Sequence, residues 1–285
     1  MRVCYVLTGG SLRGIVAQTA ALEVLEACGL EFNDICGVVG TSAGALTGSF
    51  YAAGMEPSEM AKKFGSMTKR DYIDPSWLKI IGSILLMGRG MTGIFEGERL
   101  LSWLKNNLPV ENIENTPIPL AINVTNISKE KPEILTSGPI AEAVRASTAI
   151  PFIFKPQIIG SSYYVDGGAV NNIPVDEAVR LHPEADAFIV ITTLGVRETE
   201  DPEDHSWLNL PFAPLHILSR ALHAVSRELY KDNLNSAGKK VAILTVNPGP
   251  IDLQEVEKFG EAYRKGLRDA LKKVPGILAE IGYKQ

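Results

Sequence analysis

Strand-like and helix-like stretches alternate along nearly the whole chain, and this constrains the fold more than any other feature. "VCYVLTGG" is an apolar run ending in glycines, and "SLRGIVAQTAALEVLEACGL" follows it with helical spacing. "ICGVVGT" repeats the first pattern, and "SAGALTGSFYAAG" repeats the second with small residues. Pro57 opens a further helix, and "EGERLLSWLKNNL" reads as an amphipathic one. "PLAINVTNI" and "PEILTS" look like paired strands, and "IAEAVRASTAI" is a helix stopped by Pro151. "AFIVITTLGV" is apolar throughout, as strands buried on both faces are. The stretch 206–237 reads as mostly helical, "KVAILTVNPG" as the last strand and "LQEVEKFGEAYRKGLRDALKK" as the last long helix. This order predicts a three-layer α/β/α fold with a mainly parallel central sheet. No repeat or linker divides the chain, so one domain over residues 1–285 is expected.

Composition narrows the class. With 45% apolar and 21% charged residues the chain is ordinary for a globular protein. Its net charge of -5 argues against a nucleic-acid partner. The three cysteines, Cys4, Cys28 and Cys36, lie in regular apolar segments and read as reduced thiols, which suits a cytoplasmic protein. No cysteine or histidine cluster has zinc-site spacing, and no metal or other cofactor is expected. The first residues lack the pattern of a signal peptide. No apolar run reaches the roughly 18 residues of a membrane span, so contact with membranes is expected to be peripheral and transient.

Three strand ends carry residues with chemistry. The first is Gly40-Thr41-Ser42-Ala43-Gly44, a G-x-S-x-G stretch at a strand-to-helix junction. A nucleophile on such an elbow needs small flanking residues, here Gly40 and Gly44, so that its Oγ stands clear of the sheet. The alternative is a plain packed junction. The second is "LTGGSLRG", residues 7–14, whose backbone N–H groups could cradle an oxyanion or a phosphate. A dinucleotide fingerprint would need glycine at position 11, which is Ser11, and an acid further on such as Glu31 or Asp34. Arg13 beside this loop reads either as an anion attractor or as a surface residue. The third is "YVDGGAVNNIPV", where Asp166 precedes two glycines. Asp-Gly-Gly is also good turn chemistry. In a parallel sheet such strand ends converge on one edge, bringing together a serine, a carboxylate and backbone donors.

As a set, "GGSLRG", "GTSAG" and "DGG", in that order, resemble the patatin-like phospholipases, a family of serine–aspartate lipid acyl hydrolases. "RASTAIPFIFKP" before the aspartate and "DGGAVNNIPV" after it are similar to that family too, over about residues 3–175. The resemblance implies a lipid acyl hydrolase with Ser42 as nucleophile, Asp166 as base, and the N–H groups of Gly9, Gly10 and Ser11 around the oxyanion. Its substrate would be a lipid acyl ester. Ser11 departs from the family's third glycine, and a left-handed backbone there costs a serine energy that glycine avoids. A non-catalytic lipid- or nucleotide-binding module on the same fold is the competing reading.

The four histidines, His182, His205, His216 and His223, all follow Asp166, so a Ser…Asp…His order is formally available. Only one strand precedes the elbow, which argues for the dyad instead. An aspartate has an ordinary pKa of about 3.9, a weak base for a serine hydroxyl. Its environment must tune it, through a balance of burial against the dipoles of the oxyanion loop. Residues 77–95, "WLKIIGSILLMGRGMTGIF", read either as core or as a mobile cover over an acyl pocket, with Ile84, Leu85 and Met87 as lining. "SWLNLPFAPLHIL" (206–218) is a second candidate wall. Lys69, Arg70, Lys79 and Arg89 are candidates to meet phosphate headgroups, or a solvated face.

Overall fold

A computed structural model describes residues 1–75, 92–193 and 239–283. Its sheet contains β1 (Val3–Leu7), β2 (Ile35–Thr41), β4 (Leu120–Asn126), β5 (Lys131–Leu135), β7 (Gln157–Ile159), β8 (Ser162–Asp166), β9 (Ala187–Thr192) and β10 (Lys240–Thr245). The order is β10-β9-β1-β2-β4-β8-β7, with β5 also on β4. From β10 to β4 every pairing is parallel; β5, β8 and β7 are added antiparallel. A short pair, β3 (Gly93–Phe95) with β6 (Phe152–Phe154), lies outside the sheet.

The inner parallel strands are apolar because both of their faces are covered; the edge strand β10 is half-buried on one face. Val3, Tyr5 and Leu7 of β1 enter the larger core; Cys4 and Val6 enter a smaller one on the other side. The larger core is closed by α1 (Ser11–Ala27), α2 (Ala43–Ala52), α3 (Pro57–Gly65), α4 (Glu98–Asn107), α5 (Ile140–Ser147) and α7 (Phe259–Ile281). The smaller one takes Val175 and Ala178 from α6 (Val175–Leu181). The cysteines are free thiols, with Cys4 and Cys36 buried.

The last helix differs from expectation. Residues Leu253–Lys258 form a 3₁₀ segment, and α7 then runs through Pro275 to Ile281. A proline inside a helix costs about 3 kcal/mol. Val274, Ile277, Leu278 and Ile281 are all buried on the same side, each contributing roughly 1.5–3 kcal/mol. Burial of that stripe outweighs the break. The anticipated helical stretch at 206–237 lies outside the described residues. Among the described residues no helix is long and apolar enough to cross a membrane.

Candidate active site

The sheet register brings the three motifs to one level. Leu7 pairs with Gly40, Thr41 with Asn123, and Val124 with Asp166. Gly9 and Ser42, each two residues further on, therefore stand beside one another, with Asp166 in line. The parallel-edge expectation accounts for the first two only. The strand carrying Asp166 is antiparallel: β8 descends from beyond the edge and stops at Asp166. β4 makes this possible by running on to Asn126, past the level of Ser42.

Ser42 sits at φ 53° and ψ −115°, a conformation costly for any residue with a Cβ. The glycines around it let α2 lie close enough to hold that turn. A Cβ on Gly44 would stand 2.0 Å from the Leu7 carbonyl oxygen, and one on Gly40 2.4 Å from that of Gly44. The Ser42 N–H donates to Ser147 Oγ at 2.8 Å, and that hydroxyl donates to the Asn123 carbonyl at 2.7 Å. A serine at a helix start ordinarily caps the helix with its hydroxyl. Ser42 makes no such bond, and its hydroxyl instead helps to stabilise the charged form of the Asp166 carboxylate.

Asp166 is buried, and its carboxylate also accepts the Gly168 N–H at 2.8 Å. Its backbone is tied by Ala149, whose carbonyl accepts the Asp166 N–H at 3.0 Å, and by the Thr125 hydroxyl on its carbonyl at 3.1 Å. Burial pushes its pKa up to about 6, against the lowering effect of the Ser42 hydroxyl and the Gly168 N–H on the anion. The balance left open by the sequence thus falls on the side of a stronger base. Gly167 permits the turn, since a Cβ there would lie 2.5 Å from the Asn123 carbonyl oxygen.

The glycine loop abuts the serine: a Cβ on Gly9 would lie 3.3 Å from Ser42 Cβ and 2.3 Å from Asn172 Oδ1. The Gly9 N–H, anticipated as an oxyanion donor, donates to Asn172 Oδ1 at 3.0 Å. The N–H groups of Gly10 and Ser11 have no acceptor among the described residues. They open α1, whose 17 residues direct a partial positive charge at the site. Ser11 does adopt the left-handed backbone, φ 53°, that its side chain disfavours. Arg13 donates to Asn247 Oδ1 at 3.2 Å, joining α1 to the segment after β10.

The dinucleotide reading loses its support. A Cβ on Gly14 would lie 3.0 Å from Ala43 Cβ, so this glycine serves the packing of α1 on α2. Asp34 accepts from the Glu31 N–H and the Tyr283 hydroxyl, at the far end of β2. His182 is far from Asp166 as well. Its ring fills the space beside Gly37, five residues before Ser42, about 16 Å along the strand. Burial lowers its pKa. His205, His216, His223, Ile84, Leu85, Met87, Lys79, Arg89 and residues 206–218 lie outside the described residues. Lys69 and Arg70 line an open cleft of mixed charge with Asp74, Glu96, Glu98 and Arg99.

Ser147 and Asn172 were not singled out from the sequence, although both lie in the stretches "RASTAIPFIFKP" and "DGGAVNNIPV". Arg145 in the first of these is buried, its guanidinium donating to the carbonyls of Glu96, Gly97 and Lys155. Among the described residues no cluster of three histidines, cysteines or acids could hold a metal ion.

Comparison with known proteins agrees with this arrangement. An uncharacterised NTE family protein of Mycobacterium tuberculosis is 28% identical over 215 residues, 73% of this chain and 55% of that one. The chain thus spans about half the length of the mycobacterial relatives it matches. A protein of Invertebrate iridescent virus 6 named "Probable lipid hydrolase 463L" is 29% identical over 224 residues, covering 71% of this chain and 73% of that one. Lysophospholipase nte1 of Aspergillus terreus is 31% identical over 292 residues, 92% of this chain but 17% of the fungal one. The crystal structure of VipD from Legionella pneumophila shares the fold, with a TM-score of 0.51 at 16% identity over 97% of this chain and 67% of VipD. The patatin-like phospholipase profile matches residues 5–179. With the elbow, the glycine loop and the Asp-Gly-Gly turn at one level of the sheet, the chain belongs to the patatin-like phospholipase family.

Proposed function

We propose that this protein hydrolyses acyl esters of lipids through an acyl-Ser42 intermediate, with Asp166 as the general base. The observation that carries the reading is the placement of Ser42, on its strained elbow, at the same level of the sheet as a buried carboxylate whose charged form its hydroxyl stabilises and whose pKa is raised to about 6. As Oγ attacks the ester carbonyl, its proton passes to Asp166 and the carbonyl oxygen becomes an oxyanion. The N–H groups of Gly10 and Ser11, with the α1 dipole behind them, face that charge; Gly9 supports the loop. Collapse of the tetrahedral species expels the alcohol, which takes the proton from Asp166. Water then attacks the acyl-serine, gives its proton to Asp166, and releases the fatty acid as Ser42 recovers the proton.

A carboxylate at about 6 stays ionised at neutral pH yet is a better base than an exposed one. Lipid acyl esters reside in membranes, so the enzyme meets its substrate by transient peripheral contact, from the cytoplasmic side. A fluorophosphonate probe tests the nucleophile. It is expected to label the wild type, with the adduct mapped to Ser42, and to leave Ser42→Ala unlabelled. A wild type that never labels, and that turns over no acyl ester, overturns the reading in favour of a binding module.

A further inference from the structure

The Thr8–Gly9 peptide is gripped at both ends by buried carboxamides. Gln18 Nε2, from α1, donates to the Thr8 carbonyl at 2.6 Å. Asn172 Oδ1, from the segment after the Asp-Gly-Gly turn, accepts the Gly9 N–H at 3.0 Å. Gln18 is fully buried and Asn172 nearly so. These bonds fix which way each amide faces, since only an oxygen can accept the Gly9 N–H and only a nitrogen can donate to a carbonyl. Each amide is left with one prong, Asn172 Nδ2 and Gln18 Oε1, buried without a hydrogen-bond partner among the described residues. Leaving such groups unmatched is destabilising, so each amide holds the peptide at a cost of its own. Two of them on one peptide call for an explanation beyond packing.

The peptide they grip sets the direction of the next one. The Gly9 carbonyl accepts from the Thr8 hydroxyl at 3.2 Å, and that hydroxyl also pairs with Thr192 at 3.0 Å. In a trans peptide the N–H points opposite the carbonyl. The Gly10 N–H is therefore directed away from this cluster, and it has no acceptor among the described residues. Glycine cannot hold such a geometry by itself, because its backbone has few preferences. Asn172 also touches the other motif: a Cβ on Gly168 would lie 3.0 Å from Asn172 Oδ1 and 3.1 Å from Asp166 Oδ1.

We propose that Asn172, with Gln18 as its counterpart, is a positioning residue that locks the Thr8–Gly9 peptide and so aims the Gly10 and Ser11 N–H groups at the oxyanion. The assignment rests on the acyl-hydrolase reading above and adds to it two residues that touch neither substrate nor nucleophile hydroxyl. A preorganised donor acts because it needs no reorientation as charge develops.

The test uses a soluble short-chain acyl ester with the whole chain. Asn172→Leu is expected to lower kcat about 10²-fold, the scale of one oxyanion donor, while KM changes by less than about threefold. Its melting temperature is expected to hold or fall by a few degrees, because the unmatched Nδ2 is gone but the Gly9 N–H loses its acceptor. Asn172→Asp, which keeps an acceptor for Gly9, should recover at least about tenfold of the lost kcat. Gln18→Met, at the other end of the peptide, should lower kcat in the same way and serves if the leucine variant does not fold. Wild-type kcat in both Asn172→Leu and Gln18→Met overturns the positioning role, as does a fall in melting temperature with kcat unchanged. If the wild type itself shows no Ser42-dependent turnover, the acyl-hydrolase reading fails instead.

Discussion

The two halves of the sheet are built differently, and the site lies on their seam. From β10 to β4 the strands are parallel, those from β9 to β4 are enclosed on both faces, and β1 has no exposed residue. Beyond β4 the strands are antiparallel and half open, with Ile158 and Tyr163, a cross-strand pair, largely exposed. The parallel half supplies Ser42 and the glycine loop, and the antiparallel half supplies Asp166. The enclosed half can hold a strained elbow because backbone packs on backbone there. The open half can deliver a strand from the opposite direction because nothing needs to cross over it. The placement of Ser42 thus depends on close packing, and that of Asp166 on register.

The largest effect should come from the base. Asp166→Asn keeps the shape and the acceptor for Gly168 but cannot take the Ser42 proton. It should cost about 10²- to 10⁴-fold in kcat/KM, as loss of a general base does. The same variant should be more stable at pH 8. Asp166 has a folded pKa raised from 3.8 to about 6, so its ionisation opposes folding. The penalty is absent below the unfolded value, grows as pH rises through the window between the two, and is complete above about 6. Thermal melts should therefore show Asp166→Asn gaining on the order of 3 kcal/mol at pH 8 and almost nothing at pH 3.5. A variant less stable than wild type at pH 8 would break the contrast, placing Asp166 among the supports of the fold. In the wild type, the acid limb of kcat/KM should lie near pH 6.

Next in size is the elbow's packing. Gly44→Ala places a methyl 2.0 Å from the Leu7 carbonyl, with backbone on both sides and nowhere to yield. Denaturant melts should show a loss of about 3 kcal/mol, the upper part of the overpacking range, and Ser42 labelling should fall with it. A stability loss with labelling intact would mean that the elbow does not depend on the approach of α2.

The smallest effect concerns Ser11, at φ 53°. Ser11→Gly relieves a left-handed backbone and should raise stability by roughly 0.5–1 kcal/mol, less glycine's extra entropy in the unfolded chain. Since the N–H donor is retained, kcat should change little. A large gain in kcat would instead mean that the serine side chain crowds the oxyanion.

Much of the molecule is local, and local information is written in order along the chain. The apolar runs of β1, β2, β9 and β10 exclude any setting but a covered sheet. Gly40, Gly44 and the loop at Gly9–Gly10 mark where backbone must approach backbone. Ser42 and Asp166 stand out because each lies at the end of a strand and is set beside glycines, in the order of one family's motifs. What the sequence could not decide arises between segments far apart in it. The antiparallel entry of β8 depends on how far β4 outruns β2, a matter of register. The raised pKa of Asp166 depends on burial outweighing the Ser42 hydroxyl and the Gly168 N–H, a balance of opposing effects. The use of the Gly9 N–H by Asn172, 163 residues away, withdraws one donor that the loop alone had offered. α7 passes through Pro275 because its far end buries four apolar side chains, a gain that no helical propensity contains. Sequence by itself thus determined which groups could react, and tertiary structure decided which of them face one another and with what charge.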